Sequence, residues 1–176
     1  QMTFSPDGKS LVFSTISTHK RYYRYYDLFQ FDLKKQSSKR LTHGVRARDP
    51  DFSPDGKKIL FVAGGAGGDQ LKLYDWEAKE VTTLTEETGF TQFANPRYSP
   101  DGSEFVVARF QNNVGWELCI YNAGGIFKKR LTNNGLYVES RPVWTPDGHF
   151  ILYSSDEDRV NNLYLYDLNR NKSKRL

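Results

Sequence analysis

Arg46, Arg48, Arg97 and Arg141 are the side chains with the most obvious capacity to bind something. Each lies within four residues of Pro50, Pro96 or Pro142. A guanidinium carries five N–H donors in a planar fork that matches a carboxylate. Several such forks near the starts of successive strands would form a cationic mouth for a carboxylate or an acidic peptide. The competing reading is local, because Asp49, Asp51 and Glu139 stand close enough in sequence to neutralise them. A second cluster is His19-Lys20-Arg21-Tyr22-Tyr23-Arg24-Tyr25-Tyr26. Tyr22, Tyr23, Tyr25 and Tyr26 interleaved with cations suit a protein interface. The same mixture can stack on single-stranded nucleic acid, or can be an extended strand whose tyrosines cover a sheet edge.

Other candidates are weaker. Gly64-Gly65-Ala66-Gly67-Gly68 lacks the lysine and hydroxyl residue that a phosphate loop requires, so it reads as a flexible connection. Asp156-Glu157-Asp158 could attract a hard cation, but consecutive acids point in different directions. His19, His43 and His149 are isolated, and neither His-x-x-x-His nor Cys-x-x-Cys occurs. The single cysteine, Cys119, sits in an apolar segment and reads as a buried small residue. There is no Gly-x-Ser-x-Gly element. These observations predict no catalytic residue, no metal and no cofactor in this chain.

The elements that position the candidates follow from a repeat. Ser5-Pro6-Asp7-Gly8, Ser53-Pro54-Asp55-Gly56, Ser99-Pro100-Asp101-Gly102 and Thr145-Pro146-Asp147-Gly148 begin at residues 5, 53, 99 and 145, so at intervals of 48, 46 and 46. Periods of this length mark repeat architectures. Proline pre-sets the first corner of a turn, aspartate bonds nearby backbone, and glycine accepts positive φ. The roles expected of these prolines, aspartates and glycines are therefore structural. An aromatic residue precedes each copy (Phe4, Phe52, Tyr98, Trp144) and an apolar run follows it, such as Ile59-Leu60-Phe61-Val62. Short apolar runs between turn signals predict strands covered on both faces. A third strand ends in an aromatic and Asp or Asn, as in Leu71-Lys72-Leu73-Tyr74-Asp75. A polar fourth strand ends near Arg40-Leu41-Thr42, Thr83-Leu84-Thr85, Arg130-Leu131-Thr132 and Arg175-Leu176.

Four antiparallel strands in about 45 residues make one blade of a β-propeller. The predicted class is all-β, with four blades at about residues 1–42, 43–85, 86–132 and 133–176. In this arrangement the Pro-Asp-Gly turns occupy one rim. The opposite rim carries the connections between fourth and first strands (42–50, 85–96 and 132–142) and between second and third strands (15–27, 64–70, 110–117 and 155–162). Variable loops on a rigid scaffold are the usual place for binding residues, so the arginines and the tyrosine segment are expected there.

The pattern of proline, aromatic, Ser-Pro-Asp-Gly, apolar strand, Leu-x-Leu-Tyr-Asp and Arg-Leu-Thr resembles the WD40-like, Pro-Asp-Gly repeat of TolB-like propellers. Similar repeats occur in the propellers of prolyl-oligopeptidase-type and tricorn-type peptidases. The resemblance implies a non-catalytic scaffold for a protein or peptide partner, periplasmic or otherwise extracytoplasmic. Its alternative is an accessory propeller that gates substrate access to a peptidase. Aromatics form 15% of the 176 residues, which suits packing between blades, and a net charge of +4 is too mild to indicate nucleic acid. No apolar stretch is long enough for a membrane-spanning helix. The related propellers more often have more blades, so the chain is expected to be part of a larger propeller; the alternatives are a complete four-bladed ring and two chains pairing into one larger ring. Unpaired blade faces would otherwise favour self-association.

Overall fold

The computed structural model describes residues 1–85, 89–133, 135 and 137–176. The start of the third repeat, placed at 86, lies outside the described residues. Among those described there is no helix, and sixteen strands form four separate four-stranded antiparallel sheets. The all-β prediction of four blades is borne out. The chain divides into two compact units, Gln1–Glu87 and Thr88–Leu176.

In the first unit one sheet is β1 (Met2–Phe4), β2 (Ser10–His19), β3 (Tyr23–Asp32) and β4 (Ser37–Arg40), paired in chain order. The second sheet is β5 (Ala47–Phe52), β6 (Lys58–Gly65), β7 (Gly68–Asp75) and β8 (Val81–Thr83). The second unit repeats the plan. It contains β9 (Gln92–Tyr98), β10 (Glu104–Gln111), β11 (Gly115–Asn122) and β12 (Phe127–Arg130), then β13 (Ser140–Trp144), β14 (Phe150–Ser155), β15 (Asn162–Asp167) and β16 (Lys172–Arg175).

The repeated tetrapeptide is a self-contained clasp between first and second strands. In the second copy Gly56 N–H donates to Ser53 O at 2.8 Å and Ser53 Oγ donates to Asp55 Oδ1 at 2.6 Å. Lys57 N–H donates to the same carboxylate at 3.0 Å, and Lys58 N–H donates to Ser53 Oγ at 2.9 Å. Gly8, Gly56, Gly102 and Gly148 hold φ between 67° and 71°, a region costly for residues with a Cβ. The serine or threonine hydroxyl, seconded by the following backbone amide, holds Asp7, Asp55, Asp101 and Asp147 below the usual carboxylate range.

A second device closes the first three blades. Leu28, Leu71 and Leu118 donate their N–H groups to the hydroxyls of Thr42, Thr85 and Thr132 at 2.9–3.0 Å. The leucine carbonyls accept from Leu41, Leu84 and Leu131 at 2.8–2.9 Å. The Leu-Thr pair shared by these three blades thus locks the fourth strand onto the third.

Burial separates the second strands into two kinds. In β6 and β10, five consecutive residues are buried, as a strand covered on both faces requires. In β14, and in residues 10–13 of β2, buried and partly buried residues alternate. One face of each of these two sheets carries exposed apolar side chains, including Met2 and Phe4 in the first and Val143 and Leu163 in the last. The core of the first unit joins Val12 and Leu28 to Phe52, Ile59, Phe61 and Tyr74. That of the second joins Val106, Leu118 and Ile120 to Ile151, Tyr153 and Tyr164. Each such side chain contributes about 1.5–3 kcal/mol when fully buried.

The first strands carry a feature the sequence did not announce. Their register shifts at Asp49-Pro50, Asn95-Pro96 and Arg141-Pro142. The residue before each proline takes positive φ, 55°, 55° and 54°. Proline cannot donate to a ladder, so a bulge absorbs it. In the second unit Asn95 Oδ1 accepts from Arg141 N–H at 3.3 Å, tying neighbouring bulges together.

Candidate functional site

The tyrosine segment is a projecting arm, not a loop. Residues 15–27, expected as a connection, continue β2 and β3 in register, from Thr15 opposite Asp27 to His19 opposite Tyr23. Only Lys20, Arg21 and Tyr22 turn, the first two at positive φ. Residues 64–70 and 110–117 likewise close as tight hairpins, with Gly65 opposite Gly68 and Gln111 opposite Gly115. β-Branched and tyrosine residues favour extension, and the tall hairpin needs only a short turn.

Alternation along β3 sorts the tyrosines. Tyr23 and Tyr25 share a face, with ring centroids 6.0 Å apart and planes within 2°. The His19 ring lies 6.0 Å from Tyr25, and Arg46 Cζ sits 4.5 Å above the Tyr25 centroid. Such a cation–π contact is worth about 0.5–1 kcal/mol at an exposed site. Tyr26 projects from the other face, opposite Ile16, and Tyr22 is 82% exposed at the turn. The structure therefore gathers Tyr23, Tyr25 and Arg46 but neither Tyr22 nor Tyr26.

Asp27 positions this cluster. It is fully buried, and its carboxylate accepts from Ser17 Oγ (2.9 Å), Arg40 Nη2 (2.6 Å), Thr42 Oγ1 (2.8 Å), Gly44 N (2.9 Å) and Val45 N (3.2 Å). Burial pushes the carboxyl up, but the Gly44 amide, the Thr42 hydroxyl, Arg40 and Ser17 outweigh it and hold it below the usual range. The segment leading into Arg46 is thus pinned to the base of the arm. Gly44, at φ 71°, leaves room for His19, whose Nδ1 would lie 2.6 Å from any added Cβ. Arg46 O accepts from Gly64 N–H at 3.2 Å. Asp27 and Gly44 escaped the sequence reading, and His19 was read there only as an isolated histidine beside the tyrosines. A lone acid just before Leu28 and a glycine two residues after Thr42 were the available signals.

The other arginines behave differently. Arg48 pairs with Asp49 and with Asp69, so the local reading holds for it. Asp69 lies 21 residues away and is delivered by the β6–β7 hairpin. Arg97 and Arg141 belong to the second unit, on β9 and β13. Arg97 Nη1 donates to the neighbouring Pro96 carbonyl at 2.9 Å, and Arg141 is exposed.

The second unit has its own buried acid at the position of Asp27. Glu117 pairs with Arg109 at 2.8 Å and Arg130 at 2.9 Å. Burial beside them pushes the Cys119 thiol up to about 12, partly offset by Arg109, so the sulfur is no nucleophile at neutral pH. Asp156 accepts from Val138 N–H at 2.7 Å, and Asp158 from Tyr164 Oη and Arg175. These acids hold their loop together.

Clefts occur beside the Pro-Asp-Gly turns. One of about 350 Å³ lies between the turns of the first unit, lined by Pro6, Asp7, Asp55, Lys57 and Trp76. Its counterpart of about 250 Å³ in the second unit is lined by Pro100, Asp101, Asp147 and His149. Recurrence at equivalent positions makes them a consequence of stacking repeats. Their aspartates are committed to their own turns.

Four-stranded sheets clasped by Pro-Asp-Gly turns, with an arginine–tyrosine cluster on the loop rim, define a WD40-like propeller module. The family model described as the TolB beta propeller domain matches residues 2–176, and the chain belongs to this family. An uncharacterized protein of Agrobacterium fabrum is 27% identical over 160 residues, covering 85% of this chain and 52% of its own length. An uncharacterized peptidase of Bacillus subtilis is 27% identical over 116 residues, covering 64% of this chain and 18% of the peptidase. The Tol-Pal system protein TolB of Francisella tularensis subsp. mediasiatica is 25% identical over 158 residues, covering 89% and 35%. Among solved structures, TolB from Acinetobacter baumannii superimposes with TM-score 0.79 at 25% identity, covering all of this chain and 42% of that one. The acylaminoacyl peptidase of Pyrococcus horikoshii shares the fold, with TM-score 0.65 at 14% identity, covering 96% and 30%. The chain spans about half the length of the first of these relatives.

Proposed function

We propose that this chain is a non-catalytic propeller scaffold that binds a protein or peptide partner through its loop rim, in the bacterial envelope. The observation that carries this reading is the Tyr23–Tyr25–Arg46 cluster, a preassembled and exposed arginine–tyrosine surface pinned by a buried carboxylate. Rigid aromatics and arginine are the residues that dominate binding energy at interfaces. The kinship with TolB supports an extracytoplasmic setting, and no helix among the described residues is long and apolar enough to cross a membrane.

A photo-crosslinking amino acid placed in cells at Tyr23 or, separately, at Lys57 tests the reading. Adducts with a defined protein from Tyr23 and none from Lys57 are expected. Adducts from Lys57 alone would assign binding to the turn rim instead. A second reading, an accessory propeller gating a peptidase, is favoured by the relative from Bacillus subtilis. An α/β-hydrolase segment in the same polypeptide would establish that reading.

A further inference from the structure

Resting on the reading of the loop rim as a partner surface, we propose that the β2–β3 arm docks an extended acidic peptide. The peptide adds as a strand beside residues 23–27 and sets a carboxylate against Arg46.

The register of β4 leaves the edge open. β4 pairs with β3 only from Phe29 to Asp32, and Leu28 is closed by Leu41 and Thr42. Among the described residues no strand flanks residues 23–27 on that side. Five residues at about 3.3 Å each give roughly 17 Å of edge, enough for a short strand. Strand addition supplies main-chain hydrogen bonds, while side-chain contacts select the sequence.

Charge selects an acidic occupant. Lys20, Arg21 and Arg24 are exposed on the arm and Arg46 at its base, and no ion pair engages any of them among the described residues. The one acid of the arm, Asp27, is buried and saturated with donors. The contact with Tyr25 holds the Arg46 guanidinium over the ring, and the N–H fork of an arginine suits a carboxylate. The same cations discourage pairing of two arms edge to edge. Nucleic acid is disfavoured because Arg46 already covers the Tyr25 ring, so that ring is no platform for a base.

The probes are fluorescein-labelled octapeptides read by anisotropy. One alternates glutamate and valine, one alternates lysine and valine, and a third is the acidic peptide N-methylated at alternate residues. The acidic peptide is expected to bind, more tightly at low salt. Arg46→Ala should weaken it about tenfold, with Arg46→Lys intermediate because lysine lacks the fork. Arg24→Glu, an exposed change that leaves the Asp27 contacts intact, should weaken it too, whereas Lys57→Glu should not. N-methylation should abolish binding. Equal binding of the lysine peptide, unimpaired binding of the N-methylated peptide, or displacement by oligo-deoxythymidine would each overturn the proposal. Failure of the acidic peptide to bind, with crosslinking at Tyr23 intact, would overturn this inference and leave the partner surface standing.

Discussion

Blades one, two and three differ at a pair of equivalent positions, and the difference predicts a measurable coupling. Asp27 and Arg40 pair at 2.6 Å in the first blade, and Glu117 and Arg130 at 2.9 Å in the third. The second blade has Gln70 and Thr83 at the same places, so it lacks both charges. Asp27→Gln removes an acceptor for Gly44, Val45 and Thr42 and strands Arg40, whose Nε and Nη1 remain on the carbonyls of Thr42 and Thr18. Breaking a buried pair from one side costs about 3–5 kcal/mol. Arg40→Thr leaves a buried carboxylate with neutral donors only, at a cost of about 2–3 kcal/mol. The double replacement, Asp27→Gln with Arg40→Thr, recreates the uncharged arrangement of the second blade. It should cost less than the sum of the singles by about 1–3 kcal/mol. Urea melts followed by circular dichroism and tryptophan fluorescence supply the cycle. Costs that add within about 0.5 kcal/mol would refute the assignment of Asp27 and Arg40 as one unit.

Other expectations are simpler. Gly56→Val and Gly102→Val should each destabilise by about 1–3 kcal/mol, because both glycines hold φ 71°, and unchanged urea midpoints would remove the turn assignment. Gly44→Ala adds to its backbone strain a clash with the His19 ring, so it should shift the Arg46–Tyr25 contact, visible as altered chemical shifts of the Tyr25 ring. Cys119 should resist alkylation in the folded chain, since its thiol is buried and pushed up to about 12; rapid labelling at neutral pH would contradict this. Asp27 and the four turn aspartates sit below their ordinary value of 3.8, so their stabilisation is complete above that value and is lost as pH falls through the lower folded values. Acid melts of Asp27→Asn should show a smaller loss below about pH 4 than the parent chain.

The repeat was legible because each of its elements is local. Ser53-Pro54-Asp55-Gly56 builds its turn from bonds spanning five residues or fewer, so the same letters give the same turn four times. The apolar runs after each turn announced the strands, and the threonine of the Leu-Thr pair marked the closure of each of the first three blades. Where chemistry depends on distant partners, the sequence was silent. Arg46 and Arg48 lie two residues apart and look alike, yet one stacks on Tyr25 and the other pairs with Asp69. The four tyrosines read as one cluster, but strand alternation sends Tyr26 away from Tyr23 and Tyr25. Local hydrogen bonding and hydrophobic periodicity determined the fold from sequence alone. Which cation stays available, and what pins it, was decided by pairing between β3 and the segment after β4, because a buried carboxylate such as Asp27 finds its donors only when the tertiary structure brings them together.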